Sequence, residues 1–534
     1  MERTVQPVKR HSVLLSILLL AAAHASTAPD HVSQAEQSLD ALVADADGSK
    51  PLSKEDADRC IRTVRDAAGR LTPDDTCLLP RLAGLREKHA EDLAPTPKRP
   101  LKRDNALGRL LLALDLDRFE RLPPEEVQAH PASAAFPGPV PKDAPRVRRM
   151  LEIDTAVPDW HSTGLYAAPG EVVTVTVPAA AADKGLQVRI GAHRDRLWHL
   201  EAWMRAPDIC LSRPLAEPVT RAASAFGGLV YVDVPRDGPL GTVKVTVTGA
   251  VEAPYYVHGQ TEPAAWRNTL RTRAAPWAEL ASKKVVLTLP SAVVCDLDDP
   301  DAVMTFWDAV ADACADLAAR PLVRPERYVA DVQISAGYMH AGYPLMTLLD
   351  MPPVMVDVPR LQRNGHGGVW GLFHELGHNH QERDWTFRGT GEVTVNLFTM
   401  YVLETVCGLE PTQCHGSISD RSRAAAMRKY FAQPDFAAWQ KDPFLGLILY
   451  IQMQKTFGWE PFKKVFAEYR ALGPDDRPRS DEAKRDQWLV RFSRTVGRNL
   501  GPFFEAWCIP TSEAARKQIA DLPAWMPDGF PPEG

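Results

Sequence analysis

The sequence predicts a multidomain chain: a small α-helical N-terminal unit, a β-sandwich, and an α+β domain that ends in a helical subdomain. Three observations predict it. The chain has 534 residues, several times an ordinary domain. Apolar residues recur every three or four positions before residue 123, every second position after 146, and in mixed patterns from about 260. Proline is over-used, at 46 residues, and seven of them fall in Pro123–Pro145, which reads as a linker. The 45% hydrophobic and 24% charged residues are those of a globular protein and exclude disorder or collagen-like repeats. A formal charge of −6 gives no nucleic-acid partner a basic face to bind.

Residues 1–25 read as a secretory signal peptide. Lys9, Arg10 and His11 form a charged start, Val13–Ala23 an apolar run, and Ala23-His24-Ala25 an A-x-A cleavage site. The run is half the ~20 residues that span a bilayer, so no transmembrane anchor is expected. The mature protein is expected to be exported, periplasmic or extracellular, from a bacterial source. The helical unit covers 26–135, with apolar periodicity over Ala35–Ala46, Lys54–Leu71 and Leu107–Leu122. The β-sandwich covers 146–258. Its strands are predicted at Glu171–Val177, Leu186–Ile190, Leu229–Val234 and Thr242–Thr248, all β-branched and bounded by Pro, Gly or Asp. Trp160, Trp198 and Trp203 fit either its core or a sugar-stacking face, a possible glycan contact.

The last unit, 260–534, begins with predicted strands at Lys284–Leu289 and Val329–Ser335 around a helix over Asp301–Ala319. A long helical region then runs from Val369 to Arg516, interrupted at Pro411, Pro434 and Pro474–Pro478. Phe444–Met453 and Pro461–Leu472 carry core-type residues at helical spacing.

The chemistry concentrates in Phe373-His374-Glu375-Leu376-Gly377-His378. On a helix, His374 and His378 project from one face at a distance that suits a single metal ion. Glu375 is placed to reach a metal-activated water without ligating, as a general base must. A catalytic zinc needs a third protein ligand. The extended histidine motif would need Gly at 381 and His at 384, but the sequence has Gln381 and Asp384. A carboxylate from the next helix remains: Glu392, 14 positions beyond His378, or Glu404. Asn396, one turn after Glu392, could steady a ligand or a bound peptide. His366 and His380 are spare histidines, and the glycine-rich 364–368 stretch reads as a tight turn rather than a phosphate loop, since it lacks the Lys-Ser/Thr of one.

His-Glu-Leu-Gly-His-Asn-His-Gln, then Trp385, then Gly391-Glu-Val-Thr-Val-Asn-Leu-Phe398 resembles the enhancin-like, mucin-targeting zinc metallopeptidases of peptidase family M60, of gluzincin type. Asp331–Pro344 and Trp160–Gly170 resemble the same family. The likeness runs from about 150 to about 510, is densest over 331–401, and omits 26–140. It implies a gluzincin-type catalytic domain behind a β-sandwich and one Zn2+ per chain held by His374, His378 and Glu392, with Glu375 as base. It also implies O-glycosylated substrates such as mucins.

An oxyanion donor would come from Tyr338, His340, Tyr343 or Tyr401, and Tyr343–Leu348 could be an edge strand that pairs with extended substrate. Two other functions stay open: a glycan-binding or adhesive protein with a structural metal site, and a zinc hydrolase of a non-peptide amide. Export to an oxidising compartment makes the eight cysteines candidate disulfides, with Cys60–Cys77 and Cys407–Cys414 as the local pairs. Spacing assigns no partners to Cys210, Cys295, Cys314 and Cys508, and no Cys-x-x-Cys occurs.

Overall fold

The computed structural model describes residues 28–363 and 369–530. The expected signal peptide at 1–25 and the expected turn at 364–368, with His366, lie outside the described residues. Among the described residues four helices come first: α1 (Ala28–Ala46), α2 (Lys54–Ala68), α3 (Leu78–Lys88) and α4 (Ala106–Arg121). Ser53 caps α2 and Asn105 caps α4, each accepting from a backbone N–H in the first turn. α4 is buried on almost every side, so it forms the centre of this unit.

Eight antiparallel strands follow: β1 (Arg146–Asp154), β2 (Asp159–Ala167), β3 (Val173–Thr176), β4 (Gln187–Ile190), β5 (Leu211–Pro214), β6 (Val219–Ala222), β7 (Gly228–Val234) and β8 (Thr242–Glu252). They form one connected sheet in the order β5-β4-β7-β2-β8-β3-β6, with β1 also on β8. The link is a bulge in β8 between Thr248 and Ala250. Before it, β8 pairs with β3; beyond it, Val251 and Glu252 pair with β2. Gly249 makes the turn possible, because it sits at φ +91° and a Cβ there would lie 2.7 Å from the Val172 carbonyl oxygen. The curled sheet encloses a core of valines, Ile153, Ile190, Leu165 and Leu186.

A mixed six-stranded sheet comes next: β9 (Tyr255–Val257), β10 (Trp277–Ala281), β11 (Val285–Pro290), β12 (Glu326–Asp331), β13 (Met339–His340) and β14 (Leu345–Leu348). Its order is β9-β10-β11-β12-β14-β13, so β13 is an edge and β14 is not. The expected edge strand at Tyr343–Leu348 is therefore interior, flanked by β12 and β13. Helix α5 (Pro300–Leu317) packs on this sheet, as do α6 (Val369–His380) and α7 (Gly391–Thr405) through α5. The C-terminal helices include α8 (Pro443–Phe457), α9 (Glu460–Arg470) and α10 (Asp481–Val496). Phe444–Met453 and most of Pro461–Leu472, up to Arg470, thus lie in helices that pack into one hydrophobic core.

Pro123–Pro145 is packed rather than free. It holds two 3-10 turns and buries Val127, Ala132, Phe136 and Ala144. These join a core shared by the first helices, the β domain and Trp277, Val329 and Met346 of the mixed sheet. The same core takes in Trp160 and Trp203, which are 6% and 3% exposed, so these two cannot form an open sugar platform. The disulfide expectation also fails: all eight cysteines are free thiols. Cys407 Sγ donates to Leu361 O and Cys414 Sγ to Glu410 O, so local hydrogen bonds direct these two sulfurs. Burial pushes the Cys407 thiol up to about 12 and keeps it protonated. No helix among the described residues is long and apolar enough to cross a membrane.

His193 lies in the shared core against the Phe136 and Trp277 rings. Burial, then the nearby Arg205 charge, holds its pKa well below the ordinary value. The unfolded chain takes a proton here below about pH 6.5 that the folded chain refuses. Stability contributed at neutral pH is therefore lost as pH falls through that value. His193→Phe is expected to flatten the acid side of a stability–pH curve measured by denaturant titration; an unchanged slope would contradict this account.

Candidate metal centre

α6 divides into two faces. Val369, Leu372, Phe373, Leu376 and His380 are buried in the core, while His374, Glu375 and His378 are half-buried on the opposite side. Gly377 lets α7 approach, since a Cβ there would lie 2.9 Å from Phe398 Cβ and 3.0 Å from Val395 O. The loop between the helices is anchored by Trp385, which is fully buried and stacked on Phe466 at 4.3 Å. The chain then returns so that Glu392, in the first turn of α7, faces both histidines.

Donor atoms of His374, His378 and Glu392 all lie within 4.8 Å of one another. Nε2 of His374 is 3.1 Å from Nε2 of His378 and 3.0 Å from Glu392 Oε2, which is 3.5 Å from His378 Nε2. The tautomers follow from the surroundings. Trp370 Nε1 can only donate, and it meets Asn396 Oδ1 at 3.1 Å. That oxygen therefore also accepts from His374 Nδ1–H, at 2.8 Å, while Asn396 Nδ2 donates to Glu392 O. Gln381 Nε2 donates to Gly391 O and Thr394 Oγ1, so Gln381 Oε1 accepts from His378 Nδ1–H at 2.7 Å.

With each Nδ1 bonded to Asn396 or Gln381, both Nε2 atoms turn toward one point and toward the Glu392 carboxylate. A cation bound there would meet all three groups at once. Ligands around tetrahedral zinc are separated by about 3.3 Å, and this N,N,O set matches in both spacing and chemistry. Glu392 is ionised for the role, held well below the usual carboxylate range by His374 and His378. Glu404, the other carboxylate considered, is spent on Gln454 and Trp459.

Asn396 and Gln381 orient the two imidazoles and fix their tautomers. Asn396→Ala and Gln381→Ala are each expected to lower zinc affinity about 10- to 100-fold in competition with a chromophoric chelator. Affinity equal to the parent's would remove them from this role. Gln381 and Trp370 were missed in the sequence, although Gln381 stands one helical turn beyond His378.

Glu375 is half-buried beside the donors, and no hydrogen bond to a described residue engages its carboxylate. Its charge reaches His340 on β13, raising that pKa together with Asp195. The other candidates are elsewhere. Tyr338 is 46% exposed and donates to Asp350. Tyr343 lies under the Arg324 guanidinium at 3.7 Å and against Trp160. Trp385 is core, for its ring fills the space beneath α9. Tyr401 follows Glu392 by two and a half turns of α7, roughly 13 Å along the axis, and donates to Asp316. His380 is buried and neutral, pushed down to about 3 by burial and by Arg320, Arg470 and Arg324.

A family model described as peptidase M60, enhancin and enhancin-like, matches residues 249–508, and one for the N-terminal domain of M60-like peptidases matches 142–248. The TRPM8 channel-associated factor homolog of Xenopus laevis is 39% identical over 385 residues, covering 71% of this chain and 42% of that protein. The chain thus spans less than half the length of that relative. A functionally unknown conserved protein of Bacillus anthracis str. Ames, in mutant form, aligns with TM-score 0.58 at 22% identity, covering 71% of this chain and 80% of that one. The IMPa metallopeptidase from Pseudomonas aeruginosa aligns with TM-score 0.57 at 18% identity, over 88% of this chain and 59% of that one. IMPa has also been solved in complex with an O-glycopeptide. The order of helices, β domain, mixed sheet and C-terminal helices agrees with these folds, and the chain belongs to the peptidase M60, enhancin and enhancin-like family.

Proposed function

We propose that the chain is an exported zinc-dependent endopeptidase that cuts O-glycosylated, mucin-type proteins. The observation that carries the reading is the convergence of His374, His378 and Glu392 beside the unengaged carboxylate of Glu375. A purely structural site would have no use for that carboxylate. Zinc, when bound, supplies a Lewis acid that brings the pKa of water near neutrality. Glu375 takes a proton from the attacking water and hands it to the leaving amide nitrogen. Asn396 and Gln381 keep the imidazoles from rotating while charge develops.

Family membership supports the peptidase chemistry, the O-glycopeptide complex of IMPa supports the substrate class, and the leader at 1–25 supports export. A second reading, association with a channel, draws on the name of the Xenopus relative. The test uses the mature chain loaded with zinc, offered a mucin-type glycoprotein, the same protein stripped of O-glycans, and an isolated N-acetyl sugar amide. Cutting of the glycosylated protein alone, abolished by chelation and restored by zinc, is the expected result. Cutting of the sugar amide alone would replace this reading, and cutting of nothing would favour binding over hydrolysis.

A further inference from the structure

Segment 332–344 joins β12 to β14 and carries the edge strand β13 beside the metal centre. Within its own domain Tyr338 donates to Asp350 and the Arg324 guanidinium covers Tyr343. Met339 and His340 pair with Thr347 and Met346, and Asn379, next to His378, exchanges two hydrogen bonds with Gly342. Further anchorage comes from residues 194–205 of the β domain, the long connection between β4 and β5. Arg194 donates to Tyr343 O at 2.6 Å, and His199 meets Ser335 O at 2.9 Å. Gln333 accepts from Met204 N and donates to Ala202 O. At the base, Arg205 and Asp331 form a pair 1% and 0% exposed.

Asp195 is the centre of this contact. One carboxylate oxygen accepts from Ser335 N at 2.6 Å and from His340 Nε2 at 2.8 Å. Its own backbone oxygen accepts from Arg205 Nη2, so the aspartate is held by the buried pair below it. His340 Nδ1 meets Ala341 O at 3.0 Å, so each ring nitrogen faces an acceptor and both carry a proton. The bond to Asp195 raises its pKa against the opposing effect of burial, and the more distant Glu375 adds to the rise. Both N–H groups are spent, so His340 has none left for an oxyanion. It is a cationic latch between two domains.

We propose that Asp195, through His340, positions β13 so that its free edge aligns extended substrate across the metal centre, making the N-terminal β domain part of the active site. The proposal deepens the peptidase reading and rests on it for the substrate. The unpaired backbone groups of β13 would hydrogen-bond a peptide in β conformation, so the ligand is an extended main chain on one side of the scissile bond.

The experiment compares the zinc-loaded full chain with Asp195→Asn. Hydrogen–deuterium exchange over 333–343 is expected to quicken while α6 and zinc content stay as in the parent. For a long peptide that reaches β13, KM should rise so that kcat/KM falls on the order of 10²-fold. A short substrate that stops before β13 should be cut as by the parent. Unchanged exchange over 333–343, or equal losses on long and short substrates, would overturn the proposal. If Asp195→Asn does not fold, His340→Ala, a half-buried position on the edge strand, is read in the same way. Should the parent cut no peptide, the peptidase reading fails by itself, and the exchange result still decides whether Asp195 positions the strand.

Discussion

Glu375→Gln is expected to bind zinc as the parent does and to lose peptide hydrolysis by roughly 10²- to 10⁴-fold in kcat. The expectation follows from where the carboxylate stands. Glu375 contributes no atom to the His374, His378 and Glu392 cluster, so an amide of the same shape leaves the donor set intact. An amide cannot accept the proton of the attacking water, and the loss should fall on kcat rather than on KM. Zinc content by atomic absorption and turnover of a mucin-type glycoprotein read the two halves separately. Retained turnover would assign the base elsewhere, and lost zinc would place Glu375 among the ligands.

Glu279→Ala should be the most destabilising single change away from the metal. Glu279 and Arg327 are each 1% exposed and form an ion pair on the mixed sheet. The network crosses into the β domain. Tyr231 donates to Glu279 at 2.9 Å, and Arg327 donates to Ser162 and to Trp160 O. Deleting the carboxylate leaves a guanidinium buried without its counter-charge, a loss of about 3–5 kcal/mol. Replacing both residues by methionine removes the charge along with its partner and should cost much less. Chemical denaturation of the single and double variants gives the comparison. A single variant within about 1 kcal/mol of the parent would show that water reaches the guanidinium and that the domain junction is looser than described.

The motif residues His374, Glu375 and His378 were legible in the sequence because a helix of 3.6 residues per turn turns a spacing of four into a shared face. Glu392 was legible for a related reason: its distance along the chain leaves room for one turn and a return. Helices α2 and α5 stood out because each buries one stripe, and that periodicity survives without any partner, while α4 stood out by its dense apolar run. β1 escaped notice because half its residues are charged and it pairs on only one side, with β8.

Four candidate aromatic residues were read by proximity in the chain, which says nothing about direction. Tyr401 shares a helix with Glu392 yet meets Asp316 on α5, and Tyr343 lies three residues from His340 yet faces Trp160. The cysteines show the same limit: an even count permits pairing, but which acceptor each sulfur meets depends on how α7 and the segments around it pack.

The order of helices, β domain and α+β domain, and the pairing of His374 with His378 beside Glu375, could be read from the chain alone, since each rests on local periodicity or on offsets within one helix. Only the tertiary structure decided that Gln381 and Asn396 set the tautomers and that β13 is the sheet edge. It alone placed Asp195 against His340, a contact 145 residues long. Such contacts depend on how separate elements pack, because a side chain acquires its partners only when the surfaces that carry them are brought together.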